Sequence, residues 1–107
     1  MKSYAVVWEF RVRDNALARF KKAYGPSGDW AKLFRKGKGY MGTQLLCDLK
    51  DPRRFITLDF WSSYGAHARF RKKYMAEYRA LDEKCEELTE QEVRIGEFER
   101  HSDSERA

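Results

Sequence analysis

A chain of 107 residues with a formal net charge of +5 has room for one domain and not for two. Its 42% hydrophobic and 15% aromatic residues are too much apolar bulk for a disordered segment. The two cysteines, Cys47 and Cys85, have neither a CxxC partner nor a nearby histidine cluster, which argues against a zinc site and a disulfide scaffold; both read as reduced, buried, small apolar residues.

The opening apolar run meets a charge at Glu9, too early for a signal peptide or a membrane span, so a cytoplasmic location is expected. Residues 3–12 alternate, with Tyr4, Val6, Trp8, Phe10 and Val12 on one side and Ala5, Val7, Glu9 and Arg11 on the other. Period two predicts a strand. Glu9 and Arg11, two residues apart on one face, read as a surface pair of little energetic weight. Asp14 then opens a helix in which Leu17, Phe20 and Tyr24 recur at helical spacing, and Gly25-Pro26-Ser27-Gly28 stops it. That loop follows a helix rather than a strand and lacks the lysine and glycine spacing of a phosphate loop. Trp30, Leu33 and Phe34 supply a second short helical face before Gly37 and Gly39.

Residues 40–49 and 54–61 are rich in strand formers, and Asp51-Pro52 between them marks a hairpin turn. From Ser63 onward Phe70, Tyr74, Tyr78, Leu81, Cys85 and Leu88 fall on one stripe, with His67 on it too, predicting a single helix over residues 63–88. Such a helix is about 39 Å long, against about 30 Å for a nine-residue strand, so its C-terminal part must bend or meet a partner. Arg69, Arg71, Lys72 and Lys73 read as its solvated face rather than a nucleic-acid grip. Val93, Ile95, Gly96 and Phe98 predict a last strand, and residues 101–107 a polar tail after a domain of residues 1–100.

The order is strand, helix, strand, strand, helix, strand, which predicts an α+β, ferredoxin-like protomer: a four-stranded antiparallel sheet with its helices on one face. Neither face of the first strand is polar enough to stay wet, so the free sheet face needs a cover. A second copy related by a two-fold axis is the simplest, which makes a homodimer the expectation.

The segments Tyr24-Gly-Pro-Ser-Gly-Asp-Trp30-Ala-Lys-Leu-Phe34, Gly39-Tyr-Met-Gly-Thr43-Gln-Leu-Leu46, Ile56-Thr-Leu-Asp59-Phe-Trp61-Ser and Leu88-Thr-Glu-Gln-Glu92-Val-Arg-Ile-Gly96-Glu-Phe98 resemble the antibiotic biosynthesis monooxygenase family of dimeric α+β barrel proteins. The resemblance runs from about Tyr4 to Phe98 and rests on structural glycines and aromatics. It implies sheet-to-sheet dimers with a ligand cavity between sheet and helices in each protomer. Some members oxidise hydroxylated polycyclic aromatics to quinones with dioxygen and no cofactor, and others open haem. Trp61 matches the tryptophan that closes the third strand. Where quinone-forming members carry an Asn four residues before it and a Tyr six after it, this chain has Thr57 and His67. Where haem-degrading members carry an Asn on the first strand and a His ten residues past the Trp, it has Glu9 and Arg71, which disfavours haem degradation.

Phe55, Thr57, Asp59 and Trp61 share one face of the third strand, and the resemblance implies that this face looks into the cavity. Asp59 would then be a desolvated carboxylate able to act as a base; the alternative is that it pairs with Arg11 or Arg94. His67 has a pKa suited to general-base work, or it is a hydrogen-bonded core histidine. Trp61 offers a stacking surface and one N–H, or it is a core aromatic. The expected site is thus His67 and Asp59 as catalytic groups, with Trp61, Thr57 and Phe70 contacting a small aromatic molecule. No cofactor, metal, nucleic acid or membrane is expected as a partner. Three functions remain: a cofactor-independent monooxygenase of phenolic or hydroquinone-like compounds, a non-catalytic ligand-binding or stress-related barrel, and, a distant third, an RNA-binding module.

Overall fold

Alternation in the first strand becomes the centre of the sheet. The computed structural model describes residues 2–101, and in it β1 (Lys2–Val12) is flanked on both sides. It is followed by α1 (Leu17–Tyr24), α2 (Asp29–Phe34), β2 (Tyr40–Cys47), β3 (Arg54–Trp61), α3 (Tyr64–Lys73), α4 (Met75–Cys85) and β4 (Thr89–His101), with 3-10 turns at Asp14–Ala16 and Glu86–Leu88. The sheet order is β2-β3-β1-β4 and each neighbouring pair is antiparallel, so the expected α+β, ferredoxin-like fold is the one observed. Among the described residues no helix is long and apolar enough to cross a membrane.

All helices pack on the face that carries Tyr4, Val6, Phe10 and Val12 of β1 and Phe55 and Trp61 of β3, and this layer holds the core. The opposite face has no helix on it. There Leu46 is 50% exposed, Phe98 49% and Val93 41%, around the half-buried Val7, Ile56 and Leu58. Ion pairs fence one end of this apolar face: Arg54 reaches Glu9 at 2.7 Å and Asp48 at 3.0 Å, and Arg11 pairs with Asp51. Glu9 and Arg11 therefore bind across strands rather than to each other.

Three expectations need correction. The helix expected over residues 63–88 is broken at Tyr74 (φ −111°, ψ 27°), so that α3 and α4 meet at an angle to follow the sheet. No Pro or Gly stands at the break, and the Tyr74 hydroxyl donates to the Lys36 carbonyl at 3.3 Å. Cys47 is exposed, because β2 is an edge strand and Cys47 is its last residue; Cys85 is buried as expected. β4 begins at Thr89 and runs through His101, which pairs with Lys2, so His101 belongs to the sheet and not to the tail. The rest of the expected tail, residues 102–107, lies outside the described residues.

Gly39 is where the chain turns into β2. Its φ of +96° is a region that residues with a Cβ avoid, and a Cβ there would stand 2.6 Å from the Ser62 hydroxyl and 2.8 Å from Cβ of Ala66. Gly39→Ala is expected to destabilise the fold by about 1–3 kcal/mol, read as a lower thermal midpoint with the far-ultraviolet spectrum of the folded state unchanged.

Candidate functional site

The register of the sheet decides which side chains stand side by side beneath the helices. Arg94, Trp8, Thr57 and Leu45 form one row, Glu97, Val6, Asp59 and Thr43 the next, and Glu92, Phe10 and Phe55 lie on the other side of the first. Along β3 this face reads large, small, small, large: Phe55, Thr57, Asp59, Trp61. Space remains above the two small residues, and the structure holds a cavity of about 370 Å³ there, within the size range of small-molecule sites. Trp8, Phe10, Thr57 and Asp59 line it from the sheet, Tyr24, Trp30 and Phe34 from α1 and α2, Arg71, Tyr78 and Asp82 from α3 and α4, and Glu92 and Arg94 from β4.

Asp59 fronts this cavity with no ion-pair partner among the described residues. Its one hydrogen bond comes from the Thr43 hydroxyl at 2.7 Å, which in turn lies 2.6 Å from the Tyr40 hydroxyl. Burial pushes its pKa up to about 6, against the opposing pull of the Thr43 bond. The alternative pairings are not made: Arg11 is held by Asp51, and Arg94 by Glu97 at 3.3 Å. Thr57, 3% exposed, stands beside Asp59 on the cavity floor.

The other anticipated site residues lie one layer away. Trp61 is fully buried and does not line the cavity; its ring packs against Phe34 at 5.7 Å and Phe70 at 5.0 Å, and its indole N–H has no partner among the described residues. Phe70 is likewise buried behind the wall. His67 sits between Trp61 and Tyr4, with ring centroids 5.3 and 5.5 Å away. Burial, then the nearby charges of Arg71 and Arg94, lower its pKa to about 4, so its ring is neutral at physiological pH. The convergence expected of Asp59, Trp61 and His67 on one cavity is thus corrected: Asp59 and Thr57 meet there, and the bulk of Phe34 and Phe70 keeps Trp61 in the core.

Trp8, Tyr78, Arg71, Asp82, Glu92 and Arg94 were missed as cavity residues. A signal existed for three of them: Tyr78 lies on the inward stripe, and Arg71 and Asp82 follow Phe70 and Leu81 of that stripe by one residue, at the edge of the same face. The charges of Arg71 and Asp82 made them read as solvent-facing. Among the described residues no group of three or more His, Cys, Asp and Glu side chains is placed to hold a metal ion.

The same fold occurs in solved structures. SnoaB, a cofactor-independent oxygenase from Streptomyces nogalater, aligns with a TM-score of 0.65 at 16% identity over 95% of this chain and 94% of that one. A proposed antibiotic biosynthesis monooxygenase from Bordetella bronchiseptica gives 0.69 at 14% identity over 95% and 98%. One of the same description from Nitrosomonas europaea gives 0.65 at 16% over 94% and 98%. At these identities the likeness establishes the fold. No protein-family model and no curated protein matches the chain.

Asp59 makes folding depend on pH in a direction opposite to an ordinary salt-bridged carboxylate. Its folded pKa of about 6 stands above the ordinary aspartate value of 3.8, so its stabilising contribution is complete below pH 3.8 and is lost as pH rises through 6. At about 1.4 kcal/mol per pH unit between those values, the loss is at most about 3 kcal/mol. Asp59→Asn keeps an acceptor for Thr43 and removes the charge. Its thermal midpoint is expected to exceed that of the parent at pH 8, and the gap to close as pH falls below 6.

Proposed function

We propose that this protein is a dimeric barrel protein that binds a small aromatic molecule in the cavity above Asp59 and Thr57 and oxygenates it with dioxygen, without a cofactor. The observation that carries this reading is Asp59 itself: a carboxylate fronting a cavity rich in aromatic rings, with no ion-pair partner among the described residues, and with a pKa of about 6. Such a group is ionised at neutral pH and basic enough to take a phenolic proton from a substrate hydrogen-bonded to it. The fold it shares with SnoaB supports the same chemistry.

The substrate class is phenolic or hydroquinone-like, because only an electron-rich anion reduces dioxygen directly. Asp59 accepts the hydroxyl proton. The ring carbon para to that oxygen forms the C–O bond to dioxygen, and the peroxide oxygen takes the proton back from Asp59. Asp59 then removes the hydrogen on that carbon as the O–O bond breaks, and the departing hydroxide receives the same proton. The products are a quinone and water, with one oxygen atom in each and the carboxylate restored. His67, neutral and off the cavity wall, is not needed in this sequence.

The dimer belongs to the same proposal. A second copy covering Leu46, Val93 and Phe98 would remove the exposed apolar face from water, and the ion pairs of Arg54, Glu9 and Asp48 would form its polar rim. Light scattering on a sizing column is expected to give about twice the 12.7 kDa chain mass, and Phe98→Asp about that mass itself. A parent chain that elutes as a monomer at micromolar concentration rules out the barrel.

Oxygen consumption with a panel of naphthols and naphthalenediols tests the chemistry. Activity is expected to rise with pH through about 6, as Asp59 ionises. Asp59→Asn should lower kcat/KM by about 100-fold or more, whereas His67→Gln should leave the acid limb where it is. Binding of these compounds with no oxygen uptake from any of them would instead mark a barrel that binds without turnover.

A further inference from the structure

We propose that the cavity selects aromatic carboxylates, seating the anionic group on the guanidinium of Arg71. The inference rests on reading the cavity above Asp59 as the ligand site, and it adds the charge of the substrate to that reading.

Arg71 comes off α3 two turns after the Ser63 cap and lines the cavity wall. Its guanidinium carbon lies 4.3 Å from the centroid of the Tyr78 ring. A contact made through the π electrons positions the group while using none of its five N–H donors. Its Nε is buried with no hydrogen-bond partner, and among the described residues no carboxylate pairs with Arg71. A preplaced guanidinium with unused donors, in the wall of a cavity rich in aromatic rings, is an arrangement that recognises a carboxylate.

The other charges around the cavity are accounted for differently. Arg94 is neutralised by Glu97. Asp82 and Glu92 also line the cavity, and burial together with Asp82 and Glu86 holds the Glu92 carboxyl above its usual range. A ring lying on Trp8 and Phe10 can therefore offer its hydroxyl to Asp59 and its carboxylate to Arg71. The basic run Arg69, Arg71, Lys72 and Lys73 divides accordingly: Arg69, Lys72 and Lys73 are exposed, and Arg71 alone of the four turns inward.

Calorimetric titration at pH 7.5 in the absence of dioxygen tests this with three probes of one shape: 6-hydroxy-2-naphthoate, neutral 2-naphthol and cationic 2-naphthylmethylamine. The carboxylate is expected to bind at least tenfold tighter than 2-naphthol. Arg71→Met should erase that preference while leaving 2-naphthol affinity within threefold, and Arg71→Lys should retain part of it. Equal affinity for carboxylate and naphthol, no binding of either, tightest binding of the amine, or an Arg71→Met variant that weakens both probes alike would each overturn the proposal. Should Arg71→Met fail to fold, the three-probe ranking in the parent and in Arg71→Lys decides. The two readings fail separately: a carboxylate preference without oxygen uptake on any substrate refutes only the oxygenase, and oxygen uptake that is indifferent to a carboxylate and to Arg71→Met refutes only the selection.

Discussion

Two clusters of aromatic rings hold the helix layer off the sheet, and the cavity exists because nothing large stands between them. At one end Phe20 stacks on Tyr24 at 4.3 Å, both press on Phe10, and Phe20 also meets Phe55. At the other, Trp61 is ringed by Phe34, Tyr40 and Phe70 at 5.0 to 5.7 Å. Trp30 joins the two, 6.0 Å from Tyr24 and 5.7 Å from Phe34. Rigid rings do not collapse into a gap as flexible side chains do, so the space above Thr57 and Asp59 stays open. The core aromatics thus set the site's size without lining all of it, which gives Trp61 a structural reason for being where it is.

The electrostatics follow from that geometry. Asp59 and His67 are both desolvated by the aromatic layer, and desolvation favours the uncharged form of each, so their pKa values move in opposite directions, to about 6 and about 4. The consequence is a division of labour. Asp59 titrates close to neutrality while facing the cavity, and His67 stays neutral through the whole physiological range while wedged between Trp61 and Tyr4. An imidazole has the right solution pKa for a base, but burial, with Arg71 and Arg94 set against Glu97, removes that advantage, whereas burial gives a carboxylate basicity it lacks in water.

What the sequence made legible were the features governed by short-range periodicity. Alternation in residues 3–12 and in Phe55, Thr57, Asp59 and Trp61 placed the strands and their faces, and the pairing order followed from the order of elements. The break at Tyr74 was hidden because no Pro or Gly marks it in the sequence. Cys47 was misjudged because burial of a strand residue depends on whether the strand is central or at the edge, which alternation does not encode. The cavity's charged members were missed for a related reason: Arg71, Asp82, Glu92 and Arg94 are polar enough to read as surface, and only the packed layers show that they border an internal space.

A fold held by aromatic clusters and sheet register leaves the cavity's polar residues free to vary. Positions 57, 59, 71 and 94 face the cavity because of where β3, α3 and β4 run, whatever side chains they carry. Trp61 and His67 are packed in the aromatic layer, whereas Thr57 and Arg71 border the cavity, where the core does not dictate the side chain. Thr57 cannot offer the amide N–H donors that an asparagine would, and Arg71 offers a permanent positive charge where a histidine would offer a metal ligand. Shared architecture at 14–16% identity therefore fixes the frame, and the chemistry of the cavity is left to the residues that border it.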